Sequence, residues 1–124
     1  MARAEIDRET LAFTGTNPTY TGVDAADTGD GDAFDNDGQT FCILRNIDAA
    51  DALTLSMITG ATEGGLAVAD VALVVPISAT VMTIVGPFSP DLFNQPTGTF
   101  AGMVEFDYTG TAAAITDSTI AVFH

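Results

Sequence analysis

The chain has no tryptophan and no lysine, a single cysteine and a single histidine. One cysteine, Cys42, excludes an internal disulfide and a cysteine-rich zinc site. Without lysine there is no Schiff-base chemistry. His124, the final residue here, has no second histidine and no neighbouring thiol with which to ligate zinc. No apolar run approaches the roughly 18 residues needed to span a bilayer. The opening stretch MARAEIDRET holds no apolar segment of signal-peptide length, so no export signal is expected.

Positive charge is the scarcest property. Three arginines, Arg3, Arg8 and Arg45, stand against 17 acids, giving a formal net charge of -14. A nucleic-acid binder needs a basic stripe to neutralise phosphates, and this chain cannot build one. Anionic membrane surfaces repel it for the same reason. A carboxylate-dense, lysine-free surface fits a high-salt environment. There the Debye length shrinks to about 3 Å and self-repulsion is screened.

What is present is a strand-and-turn composition in 124 residues, the length of one domain. LTLSMI at Leu53–Ile58 alternates apolar and polar residues, the period of a half-buried strand. TFCILRNI at Thr40–Ile47, ADVALVVP at Ala69–Pro76, TVMTIV at Thr80–Val85, FAGMVEFDY at Phe100–Tyr108 and TIAVF at Thr119–Phe123 read as further strands. Leu11–Phe13 and Thr19–Val23 are weaker candidates. The short link Ile77–Ala79 suggests a hairpin between Ala69–Pro76 and Thr80–Val85. In the last long candidate Val104, Phe106 and Tyr108 should face the core and Glu105 and Asp107 water. A helix over Gly65–Val75 is the rival reading, opposed by its β-branched content and flanking glycines. The expectation is an all-β fold: a single antiparallel β-sandwich, jelly-roll-like, of about seven or eight short strands. Residues 1–9 would form an N-terminal arm and residues 10–124 the domain.

Three segments are candidates for function. VDAADTGDGDAFDNDG, Val23–Gly38, interleaves six Asp with Gly and Asn. Its spacing fails the EF-hand pattern, because the fifth position counted from Asp30 is Phe34. The main reading is a solvated acidic loop with no metal, Phe34 anchoring it. The alternative is a calcium site of Asp30, Asp32, Asp35 and Asp37. GPFSPDLFNQPTG, Gly86–Gly98, carries Pro87, Phe88, Pro90, Leu92 and Phe93. Prolines stiffen it, so it loses little entropy on docking. It is either pinned to its own core by Phe88 and Phe93 or offered to a partner. Arg3 and Arg8 put two of the three cations on the arm, where they could pair with an acidic neighbour. Cys42 reads as a buried, inert thiol. No nucleophile–base pair, phosphate loop or GxSxG elbow is visible, so no enzyme activity is expected.

The order NDGQTFCILRNI, GGLAVADVALVVP, IVGPFSPDLFNQPTG, VEFDY resembles a family of small proteins of tailed bacterial and archaeal viruses. That family shows DGxTFLxxxN, GLAVxDxxVxVP, GPFPPxxYNxxDG and VxVDY in this order. The match covers roughly residues 36–108. Asp70 and Pro76 fit it. Phe93 stands where Tyr is common, and Thr97 where Asp is common. The resemblance implies a β-sandwich decorating the outside of an icosahedral capsid, cementing seams between major capsid subunits after assembly in the host cytoplasm. The acidity of Val23–Gly38 points to the virus of a haloarchaeon. Implied partners are the major capsid protein and copies of the chain itself, as a trimer or as a pentameric or hexameric ring. No nucleic acid, membrane or obligate cofactor is implied. Arg3, Arg8, Pro87, Phe88, Pro90, Leu92 and Phe93 are the expected contact residues. The alternative function is a turret- or tail-associated binding module for host glycan or Ca2+, which the lack of Trp disfavours.

Overall fold

Alternation along the chain decides which residues turn inward, and the strands follow it. The computed structural model describes residues 3–23, 31–78 and 80–124. The strands are β1 (Ala4–Glu5), β2 (Thr21–Gly22), β3 (Asp32–Asp35), β4 (Phe41–Asn46), β5 (Leu53–Ile58), β6 (Thr62–Glu63), β7 (Leu66–Ala67), β8 (Val71–Val75), β9 (Thr83–Val85), β10 (Met103–Thr109) and β11 (Ser118–Phe123). Two short helices, α1 (Pro90–Phe93) and α2 (Ala112–Thr116), interrupt them. Strands hold 42% of the structure and helices 8%, which makes the fold all-β.

Five strands form one sheet in the order β1-β3-β10-β5-β8, and four form a second in the order β2-β11-β4-β9. A two-stranded ribbon, β6-β7, stands apart. Apart from the parallel β1–β3 pair, neighbouring strands run antiparallel. Leu53, Leu55 and Met57 of β5 and Val104 and Phe106 of β10 turn inward from the first sheet. Cys42 and Leu44 of β4 and Ile120 and Val122 of β11 turn inward from the second. Both sets join one hydrophobic cluster.

Several expectations need correction. Ala69–Pro76 and Thr80–Val85 do not form a hairpin: β8 pairs with β5 and β9 with β4, in different sheets. Tight hairpins favour Gly, Asn or Asp, which adopt positive φ readily, and the Ile77–Ala79 link contains none of them. Instead Ser78 donates its N–H to the Asn46 carbonyl at the end of β4 (3.0 Å). Its hydroxyl accepts from Thr80 N and Val81 N. The chain is drawn from one sheet to the other. Leu11–Phe13 is not a strand: the pairing that runs from Glu9 beside Phe123 ends where Leu11 N–H meets the His124 carbonyl (3.4 Å), and Gly15 N–H then closes a turn onto the Ala12 carbonyl (2.9 Å). Gly65–Val75 is strand and turn rather than helix.

The acidic stretch also departs from a simple loop. Asp32–Asp35 is a strand whose Ala33 and Phe34 are fully buried. Residues 3–9 lie along the domain: β1 pairs with β3, and Glu9 bridges Phe123. Glu105 and Asp107 turn away from the core as expected and both pair with Arg3, which largely covers Glu105 while Asp107 stays open to water.

Phe106 sits fully buried against the rings of Phe34 (5.0 Å between centroids) and Phe88 (5.6 Å). Phe106→Ala should therefore cost about 3–5 kcal/mol. Urea denaturation followed by circular dichroism checks this as a lowered midpoint with an unchanged slope.

Candidate functional site

The proline-bearing loop is held from below by aromatic packing and from the side by amides. Phe88 is 2% exposed and packs on Phe34, Phe93 and Phe106. Asn36 Nδ2 donates to the Phe88 carbonyl (3.1 Å) and to Asn94 Oδ1 (2.6 Å). Asn94 Nδ2 returns a bond to the Asn36 carbonyl (3.2 Å). Gly60 N–H donates to Leu92 O, and Gln95 N–H to Met103 O, each at 2.9 Å. Gly86 begins the loop at φ +121°, where a Cβ would come within 2.9 Å of Phe41 and the Thr40 carbonyl. α1 then opens with Pro90 at its first turn, where a missing N–H costs nothing. Pro87, Ser89, Pro90 and Asp91 are exposed on this fixed base, Leu92 and Phe93 are half-buried, and Phe88 is out of a partner's reach.

The cations are engaged within the chain. Arg3 donates to the Phe106 carbonyl and pairs with Asp107 and Glu105, its Nε lying 3.3 Å from Glu105. Arg8 Nη1 reaches Thr40 Oγ1 and Asp37 Oδ2, both at 3.1 Å. Arg45 stacks over Tyr20, 5.3 Å from its centroid. His124 lies 3.1 Å from the Thr10 hydroxyl and 3.7 Å from Asp37. The arm that was expected to carry Arg3 and Arg8 outward instead closes onto β10 and the turn before β4, because the nearest dense negative charge is the chain's own.

Three of the four candidate calcium ligands, Asp32, Asp35 and Asp37, fall within the described residues. Asp24, Asp27 and Asp30 lie outside the described residues. Asp32 is buried and accepts from the Tyr108 hydroxyl at 2.7 Å. Asp35 is exposed, and Asp37 is taken by Arg8 and by the Gln39 N–H (3.0 Å). Among the described residues no three His, Cys, Asp or Glu side chains are grouped to hold a metal. Beside β1, Glu5, Ile6, Asp7, Glu9, Thr19 and Thr21 line a recess, and the Glu9 carboxylate there accepts from Thr19 N–H. Cys42 is buried, and desolvation pushes its thiol well above the ordinary range. Such a thiol is a poor nucleophile. Among the described residues no helix is long and apolar enough to cross a membrane.

One surface escaped the sequence reading. From Val71 to Pro90 no residue is charged, in a chain with 17 acids. That stretch contains β8 and β9, each an edge strand of one of the two sheets. Val71, Val74, Ile77, Val81, Met82 and Ile84 are all exposed there, Val74 to 58% and Ile84 to 68%. The signal was available as a charge gap, but apolar residues in a strand read first as core.

Compared with known proteins, the chain matches no family model, no curated protein and no solved structure.

The fixed carboxylates set an acid limit. The Gln39 N–H, followed by Arg8, holds Asp37 below 3.8, and the N–H groups of Ala50 and Asp51 do the same for Asp48. A carboxylate whose folded-state pKa is lowered stabilises the fold above its unfolded value and loses that contribution as pH falls through the folded value. The melting temperature should therefore fall as pH drops below about 4. Asp37→Asn and Asp48→Asn should each flatten that fall, which thermal scans across an acid pH series would measure.

Proposed function

We propose that the chain is a structural virion protein that decorates the outside of an icosahedral capsid, with the Gly86–Gly98 loop as its contact with major capsid subunits. The observation that carries this reading is the loop's anchoring. Phe88 is locked among three phenylalanine rings, and Asn36 and Asn94 tie the flank. Pro87, Ser89, Pro90 and Asp91 are thus presented with little conformational freedom left to lose. The block order of the sequence, in which this loop is the third block, supports the same reading.

Charge supports it further. A net charge of -14 keeps the chain off DNA and suits the exterior of a shell packed with it. Many copies on a symmetric lattice make a modest contact large in sum. Contact through the loop replaces contact through the arm, since Arg3 and Arg8 already hold Asp107, Glu105 and Asp37. On this reading the protein is a β-sandwich, works without catalysis or cofactor, and belongs to a virus of a salt-rich habitat.

Co-sedimentation with purified capsids in molar salt tests the proposal. The intact chain should bind at a fixed stoichiometry. Asp91→Arg, an exposed change at the start of α1, should weaken binding about tenfold, or ~1.4 kcal/mol. Arg8→Ala should bind like the parent. Absence of binding at every salt concentration would contradict the proposal, and so would a loss caused by Arg8→Ala alone.

A further inference from the structure

A sheet edge presents a row of backbone groups ready to pair with another chain, and natural proteins blunt such edges with charge, proline or a covering element. β8 is a five-residue edge strand, VALVV, with no charge and no internal proline. Pro76 ends it, and the exposed Ile77, Val81 and Met82 lead to the second edge, β9. Val74 and Ile84 extend the apolar strip onto the flanking faces. A strip of this kind on a lone molecule is a docking surface or an aggregation hazard.

From this strip we infer that β8, with the exposed Ile77, Val81, Met82 and Ile84 that follow it, is the contact between two copies of this chain, joined about a two-fold axis with their β8 edges opposed. Charge selects the occupant. Two chains each carrying -14 repel wherever their acids face one another. They can approach closely where charge is missing, and Val71–Pro90 is such a stretch, bounded by Asp70 and Asp91. A cationic partner would gain nothing on this strip and would choose the acidic faces. A second copy brings the same charge-free strip, so both strips leave water together and no carboxylate is desolvated. A two-fold contact is self-complementary, matching the residues of one strip with the same residues of the other. Opposed β8 edges would also give their open backbone groups partners.

This inference goes beyond the capsid reading and stands or falls separately from it, because capsid binding is read at the loop and self-association at β8. Sedimentation equilibrium of the chain alone, in 0.2 M and 2 M NaCl, reads the association. The expected result is a mass of twice 12.8 kDa, with tighter association at high salt, where screening removes the repulsion between acidic faces. Val74→Asp places two like charges near the two-fold contact and should weaken association at least about tenfold, with the strand signal in circular dichroism unchanged. Leu66→Asp, a still more exposed change in β7 outside the strip, should associate like the parent. A monomer at both salts up to about 100 µM would overturn the inference, as would a Val74→Asp variant that associates fully. If Val74→Asp does not fold, hydrogen exchange of the parent decides. Protection of β8 amides that rises with protein concentration supports the contact, and protection independent of concentration refutes it.

Discussion

The packing of Phe88 against Phe34 and Phe106 is the contact on which the rest of the molecule depends. Phe34 comes from β3, Phe106 from β10 and Phe88 from the loop after β9, so three distant stretches of chain meet in one set of rings. Their centroids lie 5.0–5.6 Å apart at tilted or edge-on angles, the geometry aromatic quadrupoles favour. Phe93 adds a fourth ring, edge-on to Phe88. The cluster completes the core and also decides which side of the Gly86–Gly98 loop remains outside. A stable interior and a fixed exterior platform thus share one cause.

Electrostatics sets the second constraint. With 17 acids and 3 cations, the chain keeps its arginines for internal duty. Arg3 clamps β1 over the outward carboxylates of β10, and Arg8 ties the N-terminal segment to Asp37 and Thr40. Backbone N–H groups serve where cations are too few: Asp48 accepts from Ala50 and Asp51, Asp37 from Gln39, and Asp70 from Thr59. Asp37 and Asp48 thus act as turn caps as well as surface charge, and Asp70 ties two separate stretches of chain together. The longest stretch without charge, Val71–Pro90, is then a surface open to apolar contact.

The long strands were legible because their alternation is strong. Leu53, Leu55 and Met57 in β5 and Val104 and Phe106 in β10 sit where period two puts them. β3 was not legible, since Asp32 and Asp35 dominate its composition and its burial depends on partners far along the chain. Pairing was harder still. The strands on either side of Ile77–Ala79 looked like a hairpin, and only the bond from Ser78 to Asn46 shows why the chain changes sheet. In the candidate site, proline and phenylalanine marked the loop, but nothing local distinguished buried Phe88 from half-buried Phe93. The internal pairs of Arg3 and Arg8 were not legible, because Glu105, Asp107 and Asp37 lie far along the chain from the arginines they meet. The blocks that carry the viral resemblance contain several latches of the fold, among them Asn36, Thr40 and Asn46.

The central claim is that a core-anchored loop, and not an N-terminal arm, meets the capsid. Hydrogen–deuterium exchange on the chain, free and bound to purified capsids, tests it most directly. The account predicts that the amides of Leu92–Gln95 exchange slowly in the free chain, as part of the anchored loop. It predicts that residues 86–98 slow further on binding while residues 3–9 do not change. Fast exchange of the loop in the free chain, or protection gained at residues 3–9 in its place, would contradict it.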